Sequence, residues 1–196
     1  CPQRHPPAQR AKMTLAFISG PHGAGKTTLV KLLEQEGVWQ PKLITDAPPA
    51  DYPPYERLVY KLCQRVLENV EVLTRAEGIT LGNRCIYDGD AYANAYVQLG
   101  WITSSEQFQL HTLARHLFPT SLRKPRAIVL NPPFEIVRER LHRRWHDSEK
   151  KWREHDEEYL FAACKAFEAY RKNDDVLYLE ESDIKKAKDW LSKLNV

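Results

Sequence analysis

The sequence predicts one α/β domain built on a doubly wound, five-stranded parallel sheet with helices on both faces. Three observations predict it. Short apolar runs alternate with helical patterns along the whole chain. A glycine-rich turn, GPHGAGKT, separates the first such run from the first helix. The chain has 196 residues, enough for one domain with a full core, and shows no internal repeat. With 42% apolar and 28% charged residues, the balance is that of a folded domain and not of a disordered one.

Residues 14–19 form the first expected strand, and 26–35 a helix closed by Gly37. Residues 42–45 are the second strand. The prolines of the following DAPPADYPP loop, residues 46–54, exclude helix and central strand. A long helix is expected over 55–75, because Leu58, Leu62, Cys63, Val66, Val70 and Leu73 recur at three- and four-residue steps. Gly78 and Gly82 end it. Cys85, Ile86 and Tyr87 read as a buried third strand stopping at Asp88, with Asp90 capping a helix over 91–99 that Gly100 breaks. Ser104 with Gln107 suits a capping box for a helix to about 117. Residues 127–130 are the fourth strand, 134–144 and 157–171 are helices, and 176–179 the fifth strand. Ile184, Ala187, Leu191 and Leu194 mark a closing helix capped by Ser182. Residues 1–12 are Pro-rich and basic and read as a flexible leader, native or left by a targeting segment, with Met13 a candidate start; the domain is expected over 13–196.

Bulk chemistry excludes several classes. The net charge of +3 does not demand a polyanionic partner, and no stable nucleic-acid complex is expected. No apolar run approaches the ~20 residues that span a bilayer, and no secretory core precedes the first strand. The four cysteines, Cys1, Cys63, Cys85 and Cys164, form no C-x-x-C pair. They read as reduced thiols of a cytoplasmic protein.

GPHGAGKT, residues 20–27, satisfies G-x-x-x-x-G-K-S/T at each fixed position. Gly20, Gly23, Ala24 and Gly25 let the backbone curl so that N–H groups face phosphate oxygens. The helix start at Lys26, Thr27 and Thr28 adds its positive end. Lys26 suits the β- and γ-phosphates of ATP, and Thr27 suits Mg²⁺. This P-loop fixes nucleotide-phosphate binding without naming an acceptor.

The tighter form G-x-x-G-x-G-K-T and the CIYDGDAYANAY segment resemble the P-loop nucleoside and nucleotide kinases, the thymidylate kinase and deoxynucleoside kinase group. The resemblance runs from about residue 13 to 178 and implies a sheet ordered 2-3-1-4-5. Asp88 matches the Asp of the Asp-Arg-Tyr motif of thymidylate kinases, and Ala91-Tyr92 its later Ala-Tyr, although Gly89 replaces the Arg. That register makes Asp88 a metal partner beside Thr27; a helix cap is the competing reading. A second register sets Asn83-Arg84-Cys85 on the Glu-Arg-Ser of deoxynucleoside kinases, with Arg84 reaching phosphate. The first register is preferred, because 84–88 then reads as one strand.

Asp46 stands where deoxynucleoside kinases carry a Glu-Pro whose carboxylate accepts the 5′-hydroxyl proton. With no arginine beside it, Asp46 leans the reading towards a free nucleoside over a monophosphate; a turn Asp before prolines is equally open. Arg57 and Arg65 of the long helix are candidates for an acceptor phosphate. Arg140 and Arg144, four apart on one helix face, resemble the R-x-x-x-R of a kinase lid, expected over about 143–156. Always charged and forked, they suit a transferring phosphoryl group. His142 and His146 have no accompanying metal-ligand set.

The resulting expectation is ATP- and Mg²⁺-dependent phosphoryl transfer to a small nucleoside or nucleotide, in a protein that is not membrane-bound and could form a homodimer. Kinases of another hydroxylated metabolite or of a polynucleotide end, and a non-catalytic ATP-binding switch, remain alternatives.

Overall fold

The computed structural model describes residues 14–40, 47–49, 51–147 and 153–194. Four parallel strands form the sheet: β1 Thr14–Ser19, β2 Ile79–Asn83, β3 Ala127–Leu130 and β4 Val176–Leu179, in the order β2-β1-β3-β4. The expected second strand, over 42–45, lies outside the described residues, as does Asp46. The observed order is the expected one without that strand. Trp39 makes a parallel bridge to Thr80 of β2.

Helices cover both faces. They are α1 Lys26–Gln35, α2 Pro54–Arg75, α3 Ile86–Gln98, α4 Ser104–Leu117, α5 Phe134–Asp147, α6 Glu157–Phe167 and α7 Ile184–Lys193. Strand side chains alternate between the two covers, as the pleat requires. Ala16, Ile18, Ile128 and Leu130 pack with Leu29 and Leu33 of α1 and Leu191 of α7. Phe17 and Ala127 face Leu62 and Val72 of α2. Val129 joins α3, α5 and α6 through Ala95, Leu141 and Leu160. Both faces of the central strands β1 and β3 are thus buried, which is why these two read as continuous apolar runs. No helix among the described residues is long and apolar enough to cross a membrane.

Four expectations are corrected. The third strand is Ile79–Asn83, and Cys85–Tyr87 is the entry to α3, with Cys85 its N-cap. Three apolar residues look alike in a strand and in a buried first turn. Gly82, read as a break, lies inside β2 because a Cβ there would come within 2.5 Å of the Phe17 ring. The buried stripe of α2 is Leu58, Leu62, Arg65, Asn69 and Val72, while Cys63 and Val70 face outward. Helix caps also move: Thr103 with Glu106 caps α4, and Asp183 caps α7.

Candidate active site

The carboxyl ends of β1, β2 and β3 open into a cleft of about 1620 Å³. That exceeds the space one small ligand ordinarily fills and leaves room for two. The chain leaves β1 through Gly20, whose φ of +140° and close approach to Leu130 O, 2.1 Å from an ideal Cβ, admit only glycine. Gly25, at φ +96°, then starts α1. The first N–H groups of a helix have no intrahelical partner, so the start of α1 presents donors to an anion. Lys26 Nζ donates to Gly20 O at 2.8 Å and to Pro21 O at 2.7 Å, folding back over the loop. Burial, then the positive charge of Arg84, lowers its pKa well below the ordinary lysine value. A triphosphate fits this cradle, and the exposed Thr27 fits a metal partner of its phosphates.

Every sequence-predicted site residue within the described range lies on or beside this cleft: Gly23, Ala24, Gly25, Lys26, Thr27, Thr28, Arg57, Arg65, Arg84, Asp88, Arg140 and Arg144 line it, and Gly20 lies beside it, its carbonyl accepting from Lys26. Asp46 falls outside the described residues.

Arg84 follows the last residue of β2 with φ +64°, a left-handed conformation that costs a non-glycine residue about 1–3 kcal/mol. Two contacts hold it there: its N–H donates to Ile18 O at 2.7 Å, and Asn69 Nδ2 donates to its carbonyl at 3.1 Å. The side chain then enters the cleft, its guanidinium 5.7 Å from the Tyr92 ring centroid, and Nη1 donates to Asp88 Oδ1 at 2.7 Å. β2 ends at Asn83, so the ground for preferring the first register, a single strand over 84–88, is removed.

Asp88 corrects the preferred register. It is the third residue of α3, not the end of a strand, and Cys85, not Asp90, is the N-cap. Its fully buried carboxylate accepts from Cys85 N at 3.0 Å, Ser19 Oγ at 2.6 Å and Arg84 Nη1 at 2.7 Å. Burial pushes its pKa up, but Arg84, Arg65 and Lys26 outweigh burial and hold it below the usual value. Three of the roughly four acceptor positions of this carboxylate are thus taken by protein donors.

Arg57 and Arg65 are both buried. Arg57 Nη1 donates to Pro49 O at 3.1 Å. Arg65 Nε has no hydrogen-bond partner among the described residues. Lys61, between them on α2, has its pKa lowered to about 8 by burial, then by Arg65 and Arg57. From α5, Arg140 Nη1 donates to Ala24 O at 2.8 Å, and Arg144 Nη2 donates to Glu154 Oε2. Arg138 and Arg143 point elsewhere, to Glu157 and Glu139.

Sequence reasoning missed Glu154 and His22 as individual residues. Glu154 is fully buried, and its Oε1 stands 3.2 Å from Nδ1 of His22, the third residue of the P-loop. Burial pushes the Glu154 pKa up, but His22 and Arg144 outweigh it and hold it at about 2. Burial above all brings His22 down to about 4. Within a run of alternating charges, nothing in the sequence marks position 154 as the buried one.

By sequence the chain matches no family model and no curated protein. Its fold matches deoxyadenosine kinase from M. mycoides with bound dATP at a TM-score of 0.69, with 17% identity over 93% of this chain and all of that one. The same kinase with dCMP and dCDP matches at 0.66, with 16% identity over 92% and 98% of the two chains. Thymidylate kinase from Candida albicans matches at 0.64, with 15% identity over 94% of each. The chain thus has the fold of the nucleoside and nucleotide kinases; identities this low establish the fold alone.

Proposed function

We propose that the protein transfers the γ-phosphoryl group of ATP to a nucleoside monophosphate. One observation carries the choice of acceptor: four of the cations lining the cleft come from α2 and the end of β2, and not from the P-loop or α5. Seven Lys and Arg side chains line it against four carboxylates. Lys26, Arg140 and Arg144 belong to the P-loop and α5. Arg57, Lys61, Arg65 and Arg84 come from α2 and the end of β2; Arg84 is ion-paired to Asp88, and Arg65 Nε has no hydrogen-bond partner among the described residues. Buried guanidinium groups are costly without an anion to meet them, and planar forked donors suit phosphate. The reading agrees with the folds matched above, which belong to kinases of nucleosides and of nucleotides.

The sequence leaned towards a free nucleoside through Asp46. A free hydroxyl needs a base, whereas a monophosphate attacks through an oxygen already ionised and needs cations to offset the meeting of two anions. The four cations supply that need.

ATP with Mg²⁺ brings the phosphoryl group and neutralises part of its charge. The chain does the rest. Backbone N–H groups at the start of α1 hold the phosphates, and Lys26 is released from Gly20 O and Pro21 O to meet them. Arg140 and Arg144 stabilise charge on the group in transfer. Arg57, Arg65 and Arg84 hold the acceptor phosphate, and Leu58, Leu62, Tyr92, Tyr96 and Phe118 give the cleft its apolar wall.

Calorimetric titration with nucleosides and their monophosphates tests this. At least one monophosphate should bind about tenfold or more tightly than its nucleoside, the gain of a charge-assisted phosphate contact, and Arg65→Ala should erase the difference. Tighter binding of nucleosides would return the reading to a nucleoside kinase with Asp46 as base. Binding of neither would favour another acceptor or the ATP-binding switch.

A further inference from the structure

Glu154 is a fully buried carboxylate with a cation of α5 on one oxygen and a P-loop histidine on the other. We propose that Glu154 is a positioning residue, which sets the Arg144 guanidinium relative to the P-loop by tying it, through one carboxylate, to His22.

Three sets of contacts support this role. The first fixes Glu154 itself. Arg153 precedes it with φ +50°, and its guanidinium lies 4.2 Å from the Trp101 ring centroid. Asp156 follows as the N-cap of α6, accepting from Tyr159 N at 3.0 Å, and Tyr159 stacks on Trp101. The backbone on both sides is therefore pinned, and the left-handed residue belongs to the turn that carries Glu154 inward.

The second set fixes α5 against the P-loop at a neighbouring point. Arg140 donates to Ala24 O, and a Cβ on Gly23 would stand 2.8 Å from Leu141 Cγ and 3.1 Å from Val137 O. The helix thus rests on the loop at Gly23 and Ala24, one turn before Arg144. Only the direction of the Arg144 side chain is left for Glu154 to settle.

The third concerns energy. A buried ion pair gives up much of its Coulomb attraction to desolvation, so an apolar pair of similar volume stabilises a fold as well or better. A carboxylate here is explained by orientation more readily than by stability. His22 supplies the loop end of the tether, with its ring 5.6 Å from Tyr92 and 6.4 Å from Tyr159, centroid to centroid. It is held neutral, so its Nδ1–H can face the carboxylate while Glu154 keeps its charge for Arg144. Placement matters because reacting groups displaced by an ångström lose about a hundredfold in rate.

The inference rests on the phosphotransferase reading for its purpose but not for its test. Two affinities of the full-length chain separate the cases: ADP with Mg²⁺, and the same with fluoroaluminate, which imitates the phosphoryl group in transfer. Glu154→Gln keeps the shape and removes the charge. It should leave ADP affinity within about threefold and weaken the fluoroaluminate complex by about tenfold or more. Glu154→Asp should recover part of that loss. His22→Gln and Arg144→Ala should be non-additive in the fluoroaluminate complex, and additive once Glu154→Gln is present. This double-mutant comparison in the chain that retains Glu154 still decides if Glu154→Gln fails to fold. Equal losses for ADP and for the fluoroaluminate complex, or additivity with Glu154 intact, would overturn the proposal. If the effects appear but no acceptor is ever phosphorylated, the proposed function fails and the positioning role stands.

Discussion

The P-loop side of the cleft and the proposed acceptor side are built in opposite ways. On the first, nine consecutive residues from Gly20 to Thr28 supply backbone donors, a lysine and two hydroxyls, and glycine geometry at positions 20 and 25 shapes the turn. On the second, Arg57 and Arg65 come from α2, Arg84 from the end of β2, and each stands in a different setting. Arg57 lies against the carbonyl of Pro49, Arg84 is held by Asn69 and Asp88, and Arg65 Nε has no hydrogen-bond partner among the described residues. A site made by backbone tolerates change in its neighbours. A site made by propped side chains depends on each prop, so mutations in the two halves should differ in kind.

The largest effect belongs to the P-loop. Lys26→Ala should reduce turnover by about 10²–10³-fold, the loss seen when a donor to developing charge is removed. Its melting temperature should stay near wild type, because the loop keeps its shape through its glycines. A melting temperature that falls with activity would erase the contrast between the halves. Next comes Arg65→Ala. It should raise the acceptor KM by about tenfold to a hundredfold, as for one charged hydrogen bond, and leave the KM for ATP nearly unchanged. An equal rise in both would assign Arg65 to the triphosphate.

Asp88→Asn probes the props. It removes a carboxylate that accepts three hydrogen bonds and should cost about 1–3 kcal/mol of stability in chemical denaturation, while the Mg²⁺ dependence of turnover stays as in wild type. Unchanged stability with a higher Mg²⁺ requirement would instead make Asp88 the metal partner.

The smallest effect is a pH dependence at His22, which faces Glu154, Arg84 and Lys26. Its pKa in the fold is about 4 against 6.5 in the open chain, so the unfolded state binds the proton first. Its contribution is fully present above pH 6.5 and is lost as the pH falls towards 4. Glu154, at about 2 against 4.5, adds a loss in the same direction at lower pH. Melting curves of wild type should therefore fall more steeply between pH 6.5 and 4 than those of His22→Gln. Parallel curves would place the acid sensitivity elsewhere.

The same division explains what could be read from the sequence. The P-loop was legible because its residues are adjacent and its geometry is that of backbone. Strands β1, β3 and β4 and helix α1 fall where their apolar runs put them. β2 was misplaced because Gly82 is a packing residue against Phe17, and because Cys85–Tyr87 is apolar for the sake of a helix. The acceptor side was harder, yet α2 carried a signal. Arg65 and Asn69 continue the four-three spacing of Leu58, Leu62 and Val72, and polar residues in phase with a buried stripe point to a site. Glu154 carried no such signal. One of its partners, His22, lies 132 positions earlier in the chain, and it sits in an irregular turn that no periodicity describes.

The central claim is that the second half of the cleft receives a phosphate. Steady-state ADP release from ATP, measured on wild type with a panel of nucleosides and their monophosphates, tests it most directly. The account predicts that at least one monophosphate is turned over with a kcat/KM at least about tenfold above that of its nucleoside. Turnover of nucleosides alone would contradict it.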